Sequence, residues 1–144
     1  MTDKEYMQIA IEISKKSKTP YGAIIVKDDK IIGRNDNFDT NELYKHAEYK
    51  AIQDAIQKKS LYNQLCGATI YCSCEPCLMC LGAILYEGIT KIVYGATIQD
   101  SNDLYSEETC VSIADVIKLS NKKVKVLNIM RNEAVEVLKK TKRK

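Results

Sequence analysis

A histidine, a glutamate and two cysteines in this chain are spaced so that they can bind a metal ion and move protons. His46 is the only histidine of the 144 residues, and Glu48 follows it two positions later. Cys77 and Cys80 form a Cys-x-x-Cys pair that Pro76 precedes. One imidazole and two thiolates give Zn²⁺ three protein ligands, and a zinc site that keeps its fourth position open is catalytic rather than structural. We therefore predict one catalytic Zn²⁺ per chain, with Glu48 handling the protons of the reacting water.

The local sequence predicts that both motifs stand at the N-termini of helices. Proline is favourable in the first turn of a helix, so Pro76 predicts a helix start, with Cys77 and Cys80 three positions apart on one face. The N-terminal end of a helix also favours the thiolate form that metals require. A second helix is predicted over residues 46–58, because apolar side chains recur there at helical spacing. We expect the two helix N-termini to face each other across the metal.

A structural zinc site is the alternative interpretation of the same cysteines. Cys72 or Cys74 lies a few residues before Cys77 and could complete a shell of four ligands. The apolar run at residues 68–72 instead indicates a strand, in which small buried cysteines are common. A redox pair is a further alternative for an isolated Cys-x-x-Cys. Glu48 favours catalysis, because a structural site needs no carboxylate at that position.

The pattern His-x-Glu followed by Pro-Cys-x-x-Cys resembles the signature of zinc-dependent nucleobase deaminases. Several longer stretches extend this similarity, and together they resemble the cytidine deaminase-like superfamily. Within it, the chain is most similar to the branch of guanine deaminases, fungal cytosine deaminases and tRNA adenosine deaminases. The resemblance covers about residues 4–97, and the final third matches only in general layout. The matching stretches are residues 20–26, 32–33 together with Asn37, 46–48, 74–84 and 92–96.

The resemblance implies both a fold and a set of substrate contacts. The fold is α/β, a three-layer α/β/α domain with a five-stranded mixed sheet, against which the two zinc helices pack side by side. Asn37 matches the asparagine that bonds a polar edge of the base. The Ala47 N–H and the Glu75 main-chain carbonyl match the groups that bracket the ring oxygen and the amine. For Asn37, the alternative is a turn-forming asparagine in a polar loop.

Length and composition predict a single domain over residues 1–144. The chain is 45% hydrophobic, which is enough for one core. It has no apolar run long enough to span a bilayer and no signal peptide, so we expect a cytoplasmic protein without a membrane partner. In a reducing cytoplasm the six cysteines would stay unpaired.

The apolar pattern predicts strands that alternate with helices, as in an α/β layered domain. Residues 28–29 predict a turn between the first two strands. The predicted strands are residues 21–26, 30–34, 68–72, 89–94 and 124–127, and the predicted helices are one that ends near residue 17, then residues 46–58, 76–88, 113–119 and 133–142.

The charge is concentrated at one end of the chain. The net charge is +3, from 22 basic and 19 acidic residues. Five of the six residues in the tail 139–144 are basic, and the rest of the chain has 17 basic against 19 acidic residues. Such a tail could contact RNA phosphates, but lysines also stabilise the negative end of a helix. Acidic residues near the motifs would repel phosphates; they are Asp36, Asp39, Glu42, Asp100, Asp103, Glu107 and Glu108.

The sequence around the motifs favours a free base over tRNA as the substrate. Relatives that act on guanine or tRNA usually carry Asp-Pro-Thr-Ala or a similar run before the metal histidine, whereas residues 43–45 are Leu-Tyr-Lys, in a shorter loop over residues 37–46. Residues 97–108 lack the Gly-rich stretch expected of a tRNA enzyme, and residues 73–77 resemble the free-base deaminases. We predict hydrolytic release of ammonia from a free nucleobase such as guanine or cytosine. The alternatives are a tRNA-specific adenosine deaminase and, from another class, a non-catalytic zinc-stabilised binding protein.

The helix that carries the cysteines also predicts self-association. Leu78, Met79, Leu81 and Leu85 put apolar side chains on several sides of it, more than one core face needs. Relatives of this fold commonly pair through the face near the zinc helices. We expect a homodimer; the alternative is that all four side chains are buried within one chain.

Overall fold

The computed structural model describes residues 1–35, 46–57, 64–105 and 111–141. This part of the chain forms six helices and one five-stranded sheet in the spatial order β2-β1-β3-β4-β5. In chain order the elements are α1 (Asp3–Lys16), β1 (Ala23–Lys27), β2 (Lys30–Arg34), α2 (Ala47–Ile56), β3 (Thr69–Cys74), α3 (Leu78–Tyr86), β4 (Lys91–Ala96), α4 (Ile98–Tyr105), α5 (Ile113–Ser120), β5 (Lys125–Asn128) and α6 (Arg131–Lys140).

The sheet is mixed, as the resemblance implies. β1 pairs antiparallel with both β2 and β3, whereas β3, β4 and β5 are parallel. The predicted turn joins β1 to β2: Asp28 and Asp29 have φ values of 51° and 59°. Two successive residues with positive φ are typical of the two-residue hairpin turn that matches the strand twist. Because β3 and β4 are parallel, the connections that follow them, to α3 and α4, lie at the same edge of the sheet.

Helices cover both faces of the sheet. α2, α3 and α5 pack on one face, in a core that includes Ala51, Ile84 and Ile117. α1 and α6 pack on the other face, around Met7 and Leu138. The expected three-layer α/β/α fold is confirmed, with the two motif helices side by side in one layer.

Two local predictions were wrong. Pro76 is not in the first turn of a helix, because Cys77 has extended backbone angles and α3 begins at Leu78. Helix α4 is absent from the predicted elements, since its eight residues are mostly polar and only Ile98 and Ser101 among them are buried. A signal for it does exist in the sequence: Thr97 and the residue three positions later exchange side-chain to main-chain hydrogen bonds of 2.9 and 3.0 Å, as in a capping box.

Strand β4 begins and ends two residues later than predicted. Its last residue, Ala96, pairs with Cys74 at the end of β3. At the C-terminus, Lys139 and Lys140 lie in the last turn of α6, and residues 142–144 are outside the described part of the chain. No helix in the described ranges is both long and apolar enough to cross a bilayer.

Candidate active site

The two sequence motifs meet where α2 and α3 begin. His46 is the N-cap of α2 and Cys77 is the N-cap of α3. The Cys77 Sγ atom lies 3.4 Å from His46 Nδ1. With Cys80, these residues form a group whose ligand atoms all lie within 4.8 Å of one another. Within the described ranges, it is the one such group of histidine, cysteine and carboxylate side chains, and it coincides with the predicted ligand set.

The separations suit a zinc ion. In a tetrahedral site with Zn–S bonds of about 2.3 Å and Zn–N bonds of about 2.0–2.1 Å, a sulfur and a nitrogen ligand stand about 3.6 Å apart. The 3.4 Å between Cys77 Sγ and His46 Nδ1 is close to that value. Two thiolates and an imidazole are also the softer ligand types that zinc favours over magnesium or calcium. The residues present therefore fit Zn²⁺ with one coordination position left for a non-protein ligand.

Cys72 and Cys74 do not complete a four-ligand shell. Neither belongs to the group of potential metal ligands. Cys72 is fully buried among the side chains on the α2–α3 face of the sheet, and burial raises the pKa of its thiol well above the usual value. The Cys74 thiol donates to the carbonyl of Thr97. Among the residues that the structure describes, the structural four-ligand alternative therefore has no fourth protein ligand.

The pKa values of the two cysteines in this group are shifted in opposite directions. A hydrogen bond from Cys80, helped by one from His46, lowers the pKa of the Cys77 thiol to about 4. The same contact with Cys77, together with burial, raises the pKa of the Cys80 thiol. Without a metal, the pair therefore carries one thiolate and one thiol at neutral pH. Because zinc binds thiolates, its uptake should release the Cys80 proton.

Glu48 lies in the first turn of α2 and is buried, with 6% of its surface exposed. Burial, followed by the negative charge of Cys77, raises the pKa of its carboxyl to about 7. A group with this pKa can both accept and donate a proton at neutral pH, which is the requirement for a general acid–base catalyst. A hydrogen bond between its side chain and that of Cys80 places it beside the ligand group.

The structure describes two of the three predicted substrate-binding residues, Ala47 and Glu75. Asn37 lies outside the described residues. Asn35 is described, and it has a structural role: its Oδ1 accepts from the Ala23 N–H at 2.6 Å and its Nδ2 donates to the Tyr21 carbonyl at 3.3 Å. Ala47 is buried and opens α2, so its N–H is one of those that a helix leaves without an intrahelical partner.

Glu75 is in the connection between β3 and α3, and its side chain has a function that the sequence did not suggest. The resemblance assigns only its main-chain carbonyl to substrate. In the structure the buried carboxylate accepts hydrogen bonds from the N–H groups of Ile98 and Ile113. These partners are 23 and 38 positions away, so their proximity arises from the tertiary fold rather than from any local pattern.

Comparison with known proteins identifies the family. The family model of MafB19-like deaminases matches residues 2–141. The chain belongs to the MafB19-like deaminase family. It is therefore an enzyme that catalyses hydrolytic deamination and has a cytidine deaminase-like fold. The predicted superfamily and the prediction that the protein is an enzyme are both confirmed. The non-catalytic binding protein is set aside.

Named relatives act on two kinds of substrate. A tRNA-specific adenosine deaminase of Buchnera aphidicola subsp. Schizaphis graminum is 34% identical over 143 residues, which cover 94% of this chain and 91% of the relative. A guanine deaminase of Bacillus subtilis is 43% identical over 84 residues, which cover 57% of this chain and 53% of the relative. Among solved structures, a guanine deaminase from Nitrosomonas europaea has the same fold, with a TM-score of 0.78 at 21% identity. The superposition covers 94% of this chain and 82% of the guanine deaminase.

Proposed function

We propose that this protein is a zinc-dependent deaminase that releases ammonia from a free nucleobase such as guanine or cytosine. The observation that carries the proposal is a buried carboxyl with a pKa of about 7, that of Glu48, beside a group of one histidine and two cysteines that fits zinc. Three protein ligands leave room for water, and the carboxyl moves its protons. A structural metal site needs neither feature.

The residues of the site have distinct roles in this proposal. His46, Cys77 and Cys80 hold the ion, which when bound makes a water molecule a stronger nucleophile at neutral pH. Glu48 removes a proton from this water as its oxygen attacks the ring carbon that carries the amine. Glu48 then transfers that proton to the ring nitrogen, and finally delivers the remaining water proton to the departing amine, so that ammonia leaves and a carbonyl remains.

The substrate ring is held by polar groups around the metal. The free N–H of Ala47, at the start of α2, donates to a ring oxygen, because it has no partner within the helix. The carbonyl of Glu75 accepts from the amine that is to be removed. Asn37 bonds the opposite polar edge of the base. These three contacts follow the pattern that the resemblance implies and are part of the proposal.

A free base suits the charges near the site better than a phosphate-rich substrate. Asp100 and Asp103 lie on α4, the helix whose first residue packs against the metal-ligand cysteines. Arg131 binds the Asp100 carboxylate through two hydrogen bonds of 2.7 and 2.8 Å, so these two charges compensate each other and Asp103 is the carboxylate of this helix that remains to repel phosphate. Binding of tRNA depends on cationic side chains that neutralise phosphates.

A tRNA adenosine deaminase is the second candidate. It is favoured by the Buchnera aphidicola relative, whose alignment covers 94% of this chain against 57% for the Bacillus subtilis guanine deaminase. The described part of the basic tail, Lys139 and Lys140, lies in the last turn of α6, where it also stabilises the helix. The tail is therefore weaker support for RNA binding than its charge alone suggests.

The two candidates are separated by measuring ammonia release from guanine, cytosine, adenine, the matching nucleosides and tRNA. We expect turnover of a free base and little from tRNA. The double variant Lys139→Gln and Lys140→Gln should keep that activity nearly intact. Inosine formation in tRNA as the sole reaction, abolished by the same double variant, would establish the second candidate instead.

We also propose that the protein is a cytoplasmic homodimer. Leu81 is buried in the core, but Leu78, Met79 and Tyr86 on the same helix are 46%, 38% and 50% exposed, more apolar surface than one chain covers. The described cysteines are free thiols, as a metal site in a reducing compartment requires. Sedimentation should give a dimer, and Leu78→Glu should shift it towards monomer.

A further inference from the structure

Glu75 uses both oxygens of its carboxylate to bind the starts of two helices. Its Oε1 accepts from the Ile98 N–H at 3.1 Å, and its Oε2 accepts from the Ile113 N–H at 2.9 Å. These isoleucines are the first residues of α4 and α5. The first N–H groups of a helix have no intrahelical partner, and a negative charge is favourable beside them. One carboxylate, 5% exposed, therefore serves two helix N-termini.

Ile98 connects this contact to the metal ligands. It is 5% exposed and forms a small cluster with Cys77 and Cys80, against which Tyr49 packs. The Glu75 main chain is fixed as well, because its N–H donates to the Ala96 carbonyl at 2.8 Å, at the end of β4. The connection that carries the cysteines is thus tied to the helix that covers them.

We propose that Glu75 is a positioning residue for the metal centre. Its carboxylate holds Ile98 against Cys77 and Cys80, so that this apolar side chain limits the access of water and competing ligands to the ion. The apolar shell of a metal site controls such access, and removing an outer-shell partner typically changes metal affinity or activity by about 10- to 100-fold. The inference rests on the proposed zinc site but not on the identity of the substrate.

The substitution Glu75→Gln tests the carboxylate with little change of volume. A glutamine offers one acceptor oxygen, and its NH₂ group would face the second main-chain N–H, donor against donor. At least one of the two helix starts should therefore lose its partner.

Glu87→Gln is the matched control. Glu87 is also buried, at 3% exposure, and its Oε1 accepts a main-chain N–H, that of Gln64, at 3.3 Å. It lies at the opposite end of α3 from the cysteines. A change there perturbs a comparable contact away from the metal ligands.

The experiment follows zinc release from the loaded full-length protein to the chelator pyridylazoresorcinol, together with amide hydrogen exchange by NMR. We expect Glu75→Gln to release zinc about tenfold faster than wild type, with faster exchange at the Ile98 or Ile113 amide. Glu87→Gln should release zinc at nearly the wild-type rate. Ile98→Ala removes the cover but leaves the carboxylate in place, so it should also release zinc about tenfold faster while the Ile113 amide stays protected.

Zinc release at the wild-type rate from Glu75→Gln, despite faster amide exchange, would overturn the positioning role. Equal acceleration in Glu87→Gln would overturn it too, because the effect would then be one of general stability. If Glu75→Gln does not fold, Ile98→Ala decides, and release at the wild-type rate contradicts the proposal. Neither readout needs a substrate, so these results are independent of which base is deaminated; wild-type protein without zinc would instead refute the metal site itself.

Discussion

The N-terminus of α1 is fully capped, whereas the N-termini of α2 and α3 are not. In α1, the Glu5 N–H donates to Thr2 Oγ1 at 3.2 Å and the Thr2 N–H donates to Glu5 Oε1 at 3.1 Å. The corresponding N-cap residues of α2 and α3 are His46 and Cys77, and neither makes a side-chain capping hydrogen bond. A good N-cap stabilises a helix by about 1 kcal/mol. The N-cap side chains of α5 and α6 make no such bond either. At α2 and α3, however, the N-cap residues that forgo this stabilisation belong to the metal-ligand group.

The buried glutamates of the described residues also differ in how well hydrogen bonds compensate for the loss of water around their carboxylates. Glu75 and Glu87 accept main-chain N–H groups, which compensates for their removal from water. Glu48 is buried with a raised pKa, so its charged form is unfavourable in the folded protein. Functional sites typically contain a few residues that lower the stability of the fold. Here they coincide with the residues that we assign to zinc and to proton transfer.

The largest effect is expected from removing a metal ligand. Cys77→Ala should abolish zinc binding and ammonia release, and it should also destabilise the protein, because metal-binding free energy is part of the folding free energy. Zinc content by elemental analysis, activity and thermal unfolding test this directly. Cys72→Ala is the control, since Cys72 lies outside the ligand group; loss of zinc in that variant would contradict the assignment of ligands.

A second prediction concerns the stability of the zinc-free protein as a function of pH. The pKa of Glu48 is about 7 in the folded protein against an ordinary value of 4.5. Below about pH 4.5 the carboxyl is neutral in both states, and no penalty arises. As the pH rises from there to about 7, only the unfolded state ionises, so stability is lost. The full penalty, for about 2.5 pKa units, is on the order of 3 kcal/mol.

Glu48→Gln removes this titration. Zinc-free Glu48→Gln should therefore be more stable than zinc-free wild type by roughly 2–3 kcal/mol at about pH 8, and of similar stability at about pH 4, as measured by urea unfolding. Glu136→Gln, at an exposed position on α6, should change stability by less than about 0.5 kcal/mol at either pH. A wild-type advantage at the higher pH would show that Glu48 is not destabilised by burial.

The smallest effect tests the missing cap itself. Asparagine is among the best N-cap residues and alanine among the poorest, so zinc-free His46→Asn should be more stable than zinc-free His46→Ala by about 1 kcal/mol. Thr2→Ala should cost a similar amount at α1 without affecting zinc content. Equal stabilities of the two His46 variants would show that an N-cap side chain does not stabilise α2, in contrast to α1.

The sequence predicts that His46, Cys77 and Cys80 come together, because they belong to two short motifs at helix starts. It also predicts the sheet, since β-branched apolar runs and the Asp28–Asp29 turn are local signals. The contacts of the Glu75 carboxylate could not be predicted, because they depend on three segments that meet only in the folded chain. The apolar pattern does not predict helix α4, because this helix buries few apolar residues, although Thr97 is a recognisable N-cap residue.

In the proposed site, His46, Cys77 and Cys80 hold the metal while Glu48 carries the protons. The most direct test measures zinc content and ammonia release side by side in Glu48→Gln. We predict one zinc per chain, as in wild type, and a turnover number lower by about 10²- to 10⁴-fold. Wild-type turnover in this variant, or loss of its zinc, would contradict the separation of metal ligand from proton carrier.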